Sequence, residues 1–374
     1  MKTVSLIVPC RNESGHIAAF CASVFRQRLP EGWRLELVVA DGRSDDGTRE
    51  RLAAIASSDA RLVVIDNPGR IVSTGLNLAI AATTGEVVVR MDVHTDYADD
   101  YVAQCLQALS ETGADNVGGP WHAQPPPDAT PMQRAVAAAF QSRWVAGGAR
   151  SRDLAYSGWV DTVYLGAWPR AALQSFGGFD ESLVRNQDDE LNLRITLAGG
   201  RVWQSADIRS VYRPRSRLGQ VFRQYLQYGY WKPFVMKKHG QAASARQLMP
   251  GALVLALAVT WVLAFVGAVV TLAGGVDAAA VSAAVRSAAS AGPAPGMTTA
   301  MATAWPAIAI TATYALGVAA MTVLAGTGHP FRVILRLPAV IAAYHVGYGI
   351  GFLVGAWDAL RGRPGRNRFA RLTR

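Results

Sequence analysis

Apolar runs recur along the first part of the chain at residues 4–9, 35–40, 61–67 and 85–90, and each runs into a polar loop. Val87-Val88-Val89 places three β-branched residues in a row, which predicts a strand covered on both faces, as in a largely parallel sheet. Segments of helical period lie between the runs, at 16–27, from Thr48 through Ile55, at 73–82 and at 99–111. Strand, loop and helix thus succeed one another. The succession predicts a Rossmann-like α/β domain whose polar loops sit at the carboxyl ends of the strands, where open sheets bind ligands. Residues 116–121 read as a further strand and turn, and the Pro-rich 124–127 opens a stretch through 152 that is expected to be mobile.

Beyond residue 215 the pattern changes. From 218 to 232, Phe222, Tyr225, Tyr228, Tyr230 and Trp231 mix with Arg223 and Lys232 at helical spacing and with no acid. That predicts an amphipathic helix in the headgroup region, aromatics at the interface and cations toward phosphates; core packing of the same rings is the other reading. Residues 251–272, 302–324 and 335–357 are apolar and long enough to cross a bilayer at about 1.5 Å per residue. A small-residue linker, 274–296, carries only Asp277 and Arg286 as charges, and the third span holds Gly347, Gly349, Gly351 and Gly355 at a spacing that permits close helix packing. The chain divides accordingly into an α/β domain at 1–215, interfacial helices at 216–248, a membrane domain at 249–360 and a basic tail at 361–374.

Charge sharpens this division. The net charge of +10 suits a nucleic-acid ligand in size but not in placement. Lys and Arg crowd residues 209–246 without a single Asp or Glu, and Arg361, Arg363, Arg366, Arg368, Arg371 and Arg374 follow the last span. Basic blocks flanking apolar spans fit an anionic membrane surface, so membrane lipids are expected partners and nucleic acid is not. Cys10, Cys21 and Cys105 show no metal spacing and suit reduced thiols, and the start passes at once into a strand-like run, so the first domain is expected in the cytoplasm without a signal peptide. Two crossings would return the chain to the cytoplasm beside Arg332 and Arg336, and a third would export the Arg-rich tail. The third span is therefore expected to be re-entrant or to lie at the interface.

Candidate chemistry gathers at two places. Asp92 and His94 follow the 85–90 strand, where a carboxylate and an imidazole are placed for ligand or metal work, although a turn-capping Asp and a solvated His would look the same. Arg70, in a Pro68-Gly69-Arg70 turn, either holds a phosphate or is a surface arginine. The second place is Gly177-Gly178-Phe179-Asp180-Glu181 followed by Asn186-Gln187-Asp188-Asp189-Glu190. Asp189 reads as a helix-start acid, whereas Asp188 is either a second such acid or a general base. Neither G-x-G-x-x-G nor G-x-x-x-x-G-K-[ST] occurs, which argues against a dinucleotide enzyme or a P-loop ATPase.

Taken in order, Pro9-Cys10-Arg11-Asn12-Glu13, the Asp41–Thr48 loop, Asp92-x-His94, Gly177-Gly178-Phe179-Asp180-Glu181 and Asp188-Asp189-Glu190-x-x-x-Arg194 resemble the motif series of the family 2 glycosyltransferases. Within that family the chain resembles the succinoglycan-biosynthesis (ExoA-like) glucosyltransferase branch, in which Asp-x-His replaces the commoner Asp-x-Asp and Gln-Asp-Asp-Glu replaces Glu-Asp-x-Asp. The resemblance covers residues 1 to about 240 and returns at His345-Val-Gly-Tyr-Gly-Ile-Gly-Phe.

The resemblance implies a GT-A fold followed by transmembrane helices, a UDP-sugar donor with UDP-glucose foremost, a divalent metal (Mn²⁺ or Mg²⁺) and inversion at the anomeric carbon. It assigns Pro9, Arg11, Asn12 and Glu13 to the nucleotide-sugar pocket, Asp41 to the uracil, Asp92 with His94 to the diphosphate and metal, and Asp188 to the base. A neutral imidazole suits Mn²⁺ better than Mg²⁺. The basic interfacial segment fits a polyprenyl-diphosphate-linked saccharide acceptor in the plasma membrane, with Trp159, Asp161 and Tyr164 expected against its sugar. One rival is a processive synthase, against which Gln227-Tyr228-Gly229-Tyr230-Trp231 lacks the arginine of Gln-x-x-Arg-Trp and the spans are few. Others are a non-catalytic nucleotide-binding scaffold and, more weakly, a nucleotidyltransferase.

Overall fold

The computed structural model describes residues 1–242, 244–273, 299–363 and 365. The linker at 274–296, with Asp277 and Arg286, and Arg366, Arg368, Arg371 and Arg374 of the tail lie outside the described residues. The expected alternation is realised as β1 (Lys2–Cys10), α1 (Ile17–Phe25), β2 (Trp33–Asp41), α2 (Thr48–Ser58), β3 (Leu62–Asp66), α3 (Val72–Ala82) and β4 (Val87–Arg90). Then come β5 (Thr95–Tyr97), α4 (Tyr101–Thr112), β6 (Asn116–Gly119), β7 (His122–Ala123), α5 (Pro131–Gln141), β8 (Gly158–Trp159), β9 (Tyr164–Pro169), α6 (Arg170–Ser175), α7 (Gln187–Leu197), β10 (Val202–Gln204) and β11 (Ser210–Tyr212). The main sheet has eight strands in the order β3-β2-β1-β4-β9-β6-β10-β8, and β5-β11-β7 make a smaller one.

Both faces of β1 are buried, as its unbroken apolar run predicts. Val4, Leu6 and Val8 pack with α1 and α4, while Ile7 packs on the other face with α3 and α7. β2, β1 and β4 run parallel, with Cys10 opposite Asp41 and Ile7 opposite Arg90. Three loops, 11–16, 42–47 and 91–94, therefore leave the sheet side by side at one edge. β9 is antiparallel to β4, which brings its first residue, Tyr164, to the same edge.

α8 (Leu218–His239) leads to α9 (Met249–Ala273), α10 (Thr299–Gly326), a single turn α11 (Phe331–Ile334) and α12 (Leu337–Leu360). Three segments here, 245–272, 300–326 and 331–360, are long and apolar enough to cross a membrane; 11%, 17% and 39% of their most apolar stretches are buried within the protein, so the third differs from the others in having protein neighbours. It packs along α8 backbone to backbone. A Cβ on Gly347, Gly351 or Gly355 would lie 2.9, 2.0 or 2.1 Å from the carbonyl oxygen of Phe222, Leu226 or Tyr230. The pairing advances in the same direction on both helices, so α8 and α12 run parallel.

Two expectations are corrected. The stretch 124–152 is not an irregular mobile segment throughout, because α5 occupies its centre: Thr130 accepts the Gln133 N–H at 3.2 Å, Pro131 opens the helix, and Val136, Ala139 and Phe140 are buried. Its partner is α12, whose Tyr344 hydroxyl donates to the Val136 carbonyl at 3.1 Å. α8, expected with aromatics at a membrane surface and cations on phosphates, instead buries Tyr230 and Trp231 and pairs Lys232 with Asp189 at 2.8 Å and Lys238 with Asp180 and Glu190 at 2.8 Å. Carboxylates of the chain itself take Lys232 and Lys238, while Arg223 stays exposed and Lys237 bonds the Ala359 carbonyl.

Candidate active site

Two of the three loops are tied together by side chains. Asn12, at φ 56°, donates from Nδ2 to Asp45 Oδ1 at 2.9 Å and accepts the Asp45 N–H at 3.0 Å. The backbone N–H of Asn12 reaches Ser44 Oγ at 2.8 Å, and that of Glu13 reaches Thr48 Oγ1 at 2.7 Å. Asp41 is wholly buried and anchors the second loop, accepting from the Ser44 hydroxyl at 2.5 Å and N–H at 3.0 Å and from Arg49 at 3.3 Å.

The third loop is fixed at both ends. Asp92 accepts the His94 N–H at 2.9 Å, and its own N–H donates to the Tyr97 hydroxyl at 2.6 Å. The His94 ring meets the Glu13 carboxylate through Nε2 at 3.0 Å, joining this loop to the first. Burial, followed by the charge of Asp92, pushes the Tyr97 phenol far above its ordinary range, so it stays a neutral hydrogen-bonding strut.

Between Asp92 and the start of α7 stands Arg90. It is 5% exposed, and its Nη1 donates to Asp188 Oδ1. Burial pushes its guanidinium pKa down, and the charge of Asp92 pulls it back. One buried cation thus bonds Asp188 and feels the charge of Asp92, which places the two carboxylates around a single guanidinium. Asn186, at φ 62°, sets the helix start that carries Asp188, and its Nδ2 donates to the Tyr228 carbonyl of α8 at 2.9 Å.

Comparison with known proteins places this geometry in a lineage. Residues 5–156 match the model of glycosyl transferase family 2. The succinoglycan biosynthesis protein ExoA of Rhizobium meliloti (strain 1021) is 34% identical over 247 residues, 66% of this chain and 73% of that protein. The chain belongs to the family 2 glycosyltransferases. A Methanococcus voltae relative, dolichyl N-acetyl-alpha-D-glucosaminyl phosphate 3-beta-D-2,3-diacetamido-2,3-dideoxy-beta-D-glucuronosyltransferase, is 22% identical over 246 residues, 64% of this chain and 75% of that protein. The solved mannosyltransferase PcManGT from Pyrobaculum calidifontis, in complex with GDP-Man and Mn²⁺, superposes with a TM-score of 0.51 at 18% identity, covering 96% of this chain and 86% of that one. At that identity the likeness speaks for the fold, which is GT-A.

The transferase brings most of the other expected residues to the same edge. Pro9 and Arg11 are half-buried there, with the Arg11 side chain lying over Gly42. Tyr164 stacks on Trp121 at 4.9 Å and shares a hydrogen bond with the Thr95 hydroxyl at 2.7 Å, in electrostatic reach of Asp92. Asp161 pairs with Arg246 at 2.5 Å, near the α7 start through its neighbour Thr162, which bonds Asn192 at 3.0 Å. Trp159 stands apart, on the outermost strand β8 against Trp203 and under Arg201. Arg70 is exposed at φ 57° in its turn. Asp189, expected as a helix-start acid, does open α7 but is spent on Lys232. Arg90 is the member that sequence reading missed. Its signal was a lone cation in the apolar run Val87-Val88-Val89-Arg90-Met91, since a charge buried in a strand needs a partner.

Proposed function

We propose that this transferase moves a sugar, glucose foremost, from a UDP-sugar to a polyprenyl-diphosphate-linked glycan in surface polysaccharide synthesis, with inversion at the anomeric carbon. The observation that carries the proposal is the Asp92–Arg90–Asp188 constellation. Single displacement needs a base on the acceptor hydroxyl and a counter-charge for the departing diphosphate, and a good leaving group needs no strong acid. Asp188 is the base, and its bond from Arg90 orients it. Pro9, Arg11, Asn12 and Glu13 line the nucleotide side, with Asp41 beneath holding the loop that meets the uracil and Arg70 at the rim. Tyr164 and Asp161 flank the acceptor sugar, and Trp159 is the weakest of the three proposed contacts because of its place at the sheet edge.

A divalent cation fits this site in one specific way. Among the described residues no cluster of three or more His, Cys, Asp or Glu side chains is arranged to hold a metal. Asp92 and His94 offer one carboxylate and one imidazole, a partial set that the donor's diphosphate oxygens and water complete. Glu13 orients the imidazole. When bound, the cation neutralises charge on the leaving diphosphate.

The protein is a membrane protein in this reading, with α9 and α10 crossing and α12 lying against α8 on the side of the catalytic domain, the cytoplasm. The test is to incubate full-length protein in lipid nanodiscs with a lipid-linked acceptor, Mn²⁺ or Mg²⁺ and a panel of UDP-sugars. The expected result is UDP release with a one-hexose mass increment on the lipid. UDP release to water alone, or a polymeric product, overturns it.

A further inference from the structure

We propose that the loop 142–149 of the catalytic domain is seated in the headgroup layer of an anionic bilayer, with Trp144 as its apolar wedge and Arg143 on the lipid phosphates. This rests on the membrane reading given above, in which α9 crosses and α12 stays on the side of the catalytic domain, and it adds a lipid contact made by the catalytic domain itself.

The loop follows α5 and is built as a turn. The Ala146 N–H donates to the Ser142 carbonyl at 3.0 Å and the Gly148 N–H to the Arg143 carbonyl at 2.8 Å, with Gly147 and Gly148 at φ 62° and 77°. Its two large apolar side chains part company. Val145 is buried in the cluster that α5 shares with α10, α11 and α12, whereas Trp144 is 53% exposed. A half-exposed indole leaves apolar area on the order of 100 Å² in water, which a lipid layer removes. The Arg143 guanidinium carbon lies 4.9 Å from the centre of that ring, and its side chain is exposed too. An indole with a cation at its rim suits the boundary between acyl chains and phosphates.

Charge points the same way. Between Asp128 and Asp153 the chain holds Arg134, Arg143, Arg150 and Arg152 and no acid. Arg134 bonds the Pro127 carbonyl, Arg150 the Tyr156 hydroxyl, and Arg152 lies on the Phe140 ring, while Arg143 stays at the surface beside Trp144. Neighbours on two sides fix the height of the loop. His345 Nε2 of α12 lies 3.5 Å from the Val145 carbonyl oxygen, and a Cβ on Gly147 would lie 3.6 Å from that of Arg246, just ahead of the start of α9 at Met249. Leu248 and Met249, at that start, are exposed as well. A loop held against the first turn of a crossing helix is level with the headgroups. Arg246 also pairs with Asp161 at 2.5 Å, so the proposed acceptor flank is one ion pair from that level. A lipid-carried sugar could then reach the cleft while its carrier stays in the bilayer.

The experiment places a nitroxide on Trp144→Cys in full-length protein in phosphatidylglycerol nanodiscs and compares its collisions with oxygen, which concentrates among acyl chains, and with a water-soluble nickel chelate. Phe265→Cys, exposed on α9, is the lipid reference, and Val63→Cys, exposed on the outermost strand β3, is the water reference. The label at 144 is expected to meet the nickel chelate several-fold less often than the label at 63 and oxygen more often. Neutral phosphatidylcholine in place of phosphatidylglycerol is expected to raise nickel collisions at 144 and leave those at 265 unchanged; no change at 144 overturns the role of Arg143. Nickel access at 144 equal to that at 63, with 265 in lipid, overturns the seat and leaves the crossing standing. A label at 144 that meets neither probe is covered by protein, a second copy of the chain included, and overturns the seat as well. Nickel access at 265 equal to that at 63 ends the crossing of α9, and the proposal with it.

Discussion

Asp188 and Asp189 are adjacent carboxylates at one helix start, and their partners give them opposite work. Asp188 lies on Arg90 in the cleft, whereas Asp189 lies on Lys232, whose side chain is 8% exposed. Asp188→Asn is expected to lower kcat about 10²–10⁴-fold, the range of general-base catalysis, with UDP binding retained. Asp189→Asn is expected to lower the thermal midpoint instead, because it strands a buried ammonium. Removing one partner of a fully buried pair costs about 3–5 kcal/mol, and the third-exposed carboxylate of Asp189 puts this pair below that range. Asp188→Asn likewise strands the buried Arg90, so turnover measured on the folded variants, rather than melting, separates the roles. Glu190, fully buried, supplies a pH dependence. Burial alone would raise its carboxyl, but bonds from Arg194, Lys238 and His239 hold it below its ordinary value of 4.5. The unfolded chain then binds the proton more readily, so the stabilisation is complete above that value and is lost as pH falls through the lower folded one. A melting series should show wild type losing stability below about pH 4.5 and Glu190→Gln losing less over the same range.

The helices divide into those that carry their own signal and those defined by a distant partner. α1 to α4 and β1 to β4 were legible because each buries an apolar stripe in the sheet or on it, and the loop edge that holds Asp92 followed from parallel order, whereas β5 was hidden in a polar segment. α5 was not, since its apolar face is covered largely by distant residues of α10, α11 and α12, and the Thr130-Pro131 start was outweighed by the prolines before it. α8 was legible as a helix but not in its contacts: periodicity gives a face, not the identity of what covers it. Arg90 went unread because its meaning lies in Asp188, 98 residues along the chain. The α8–α12 seam gives the sharpest test at this scale. A Cβ on Gly351 would sit 2.0 Å from the Leu226 carbonyl oxygen, against backbone that cannot yield cheaply, while one on Gly317 of α10 meets nothing within 4 Å. Gly351→Ala is expected to destabilise by about 1–3 kcal/mol or more, and Gly317→Ala to leave the midpoint unchanged or higher.

For the molecule as a whole, the parallel seam fixes how the catalytic domain sits on its apolar helices. α12 contacts α8 along its length and is bonded at its far end by Tyr230 to Asp358 at 2.9 Å, and the proposed topology keeps it with the domain on one side of the bilayer. Cysteines introduced at Ser216 and Arg363 are therefore expected to react with an impermeant maleimide from the same face of sealed vesicles. Cys10, Cys21 and Cys105 are buried and give little background. Labelling from opposite faces would mean that α12 crosses. The same seam ties the two ends of biosynthesis together. α8 walls the cleft through Tyr228 and Gln227, yet the helix it leans on is translated later, with Asp358 lying 128 residues downstream of Tyr230. A nascent chain, folding from its N-terminus, holds a wall without its buttress until the apolar helices have been inserted. The wall of α8 is thereby completed only once the last apolar helix has been translated.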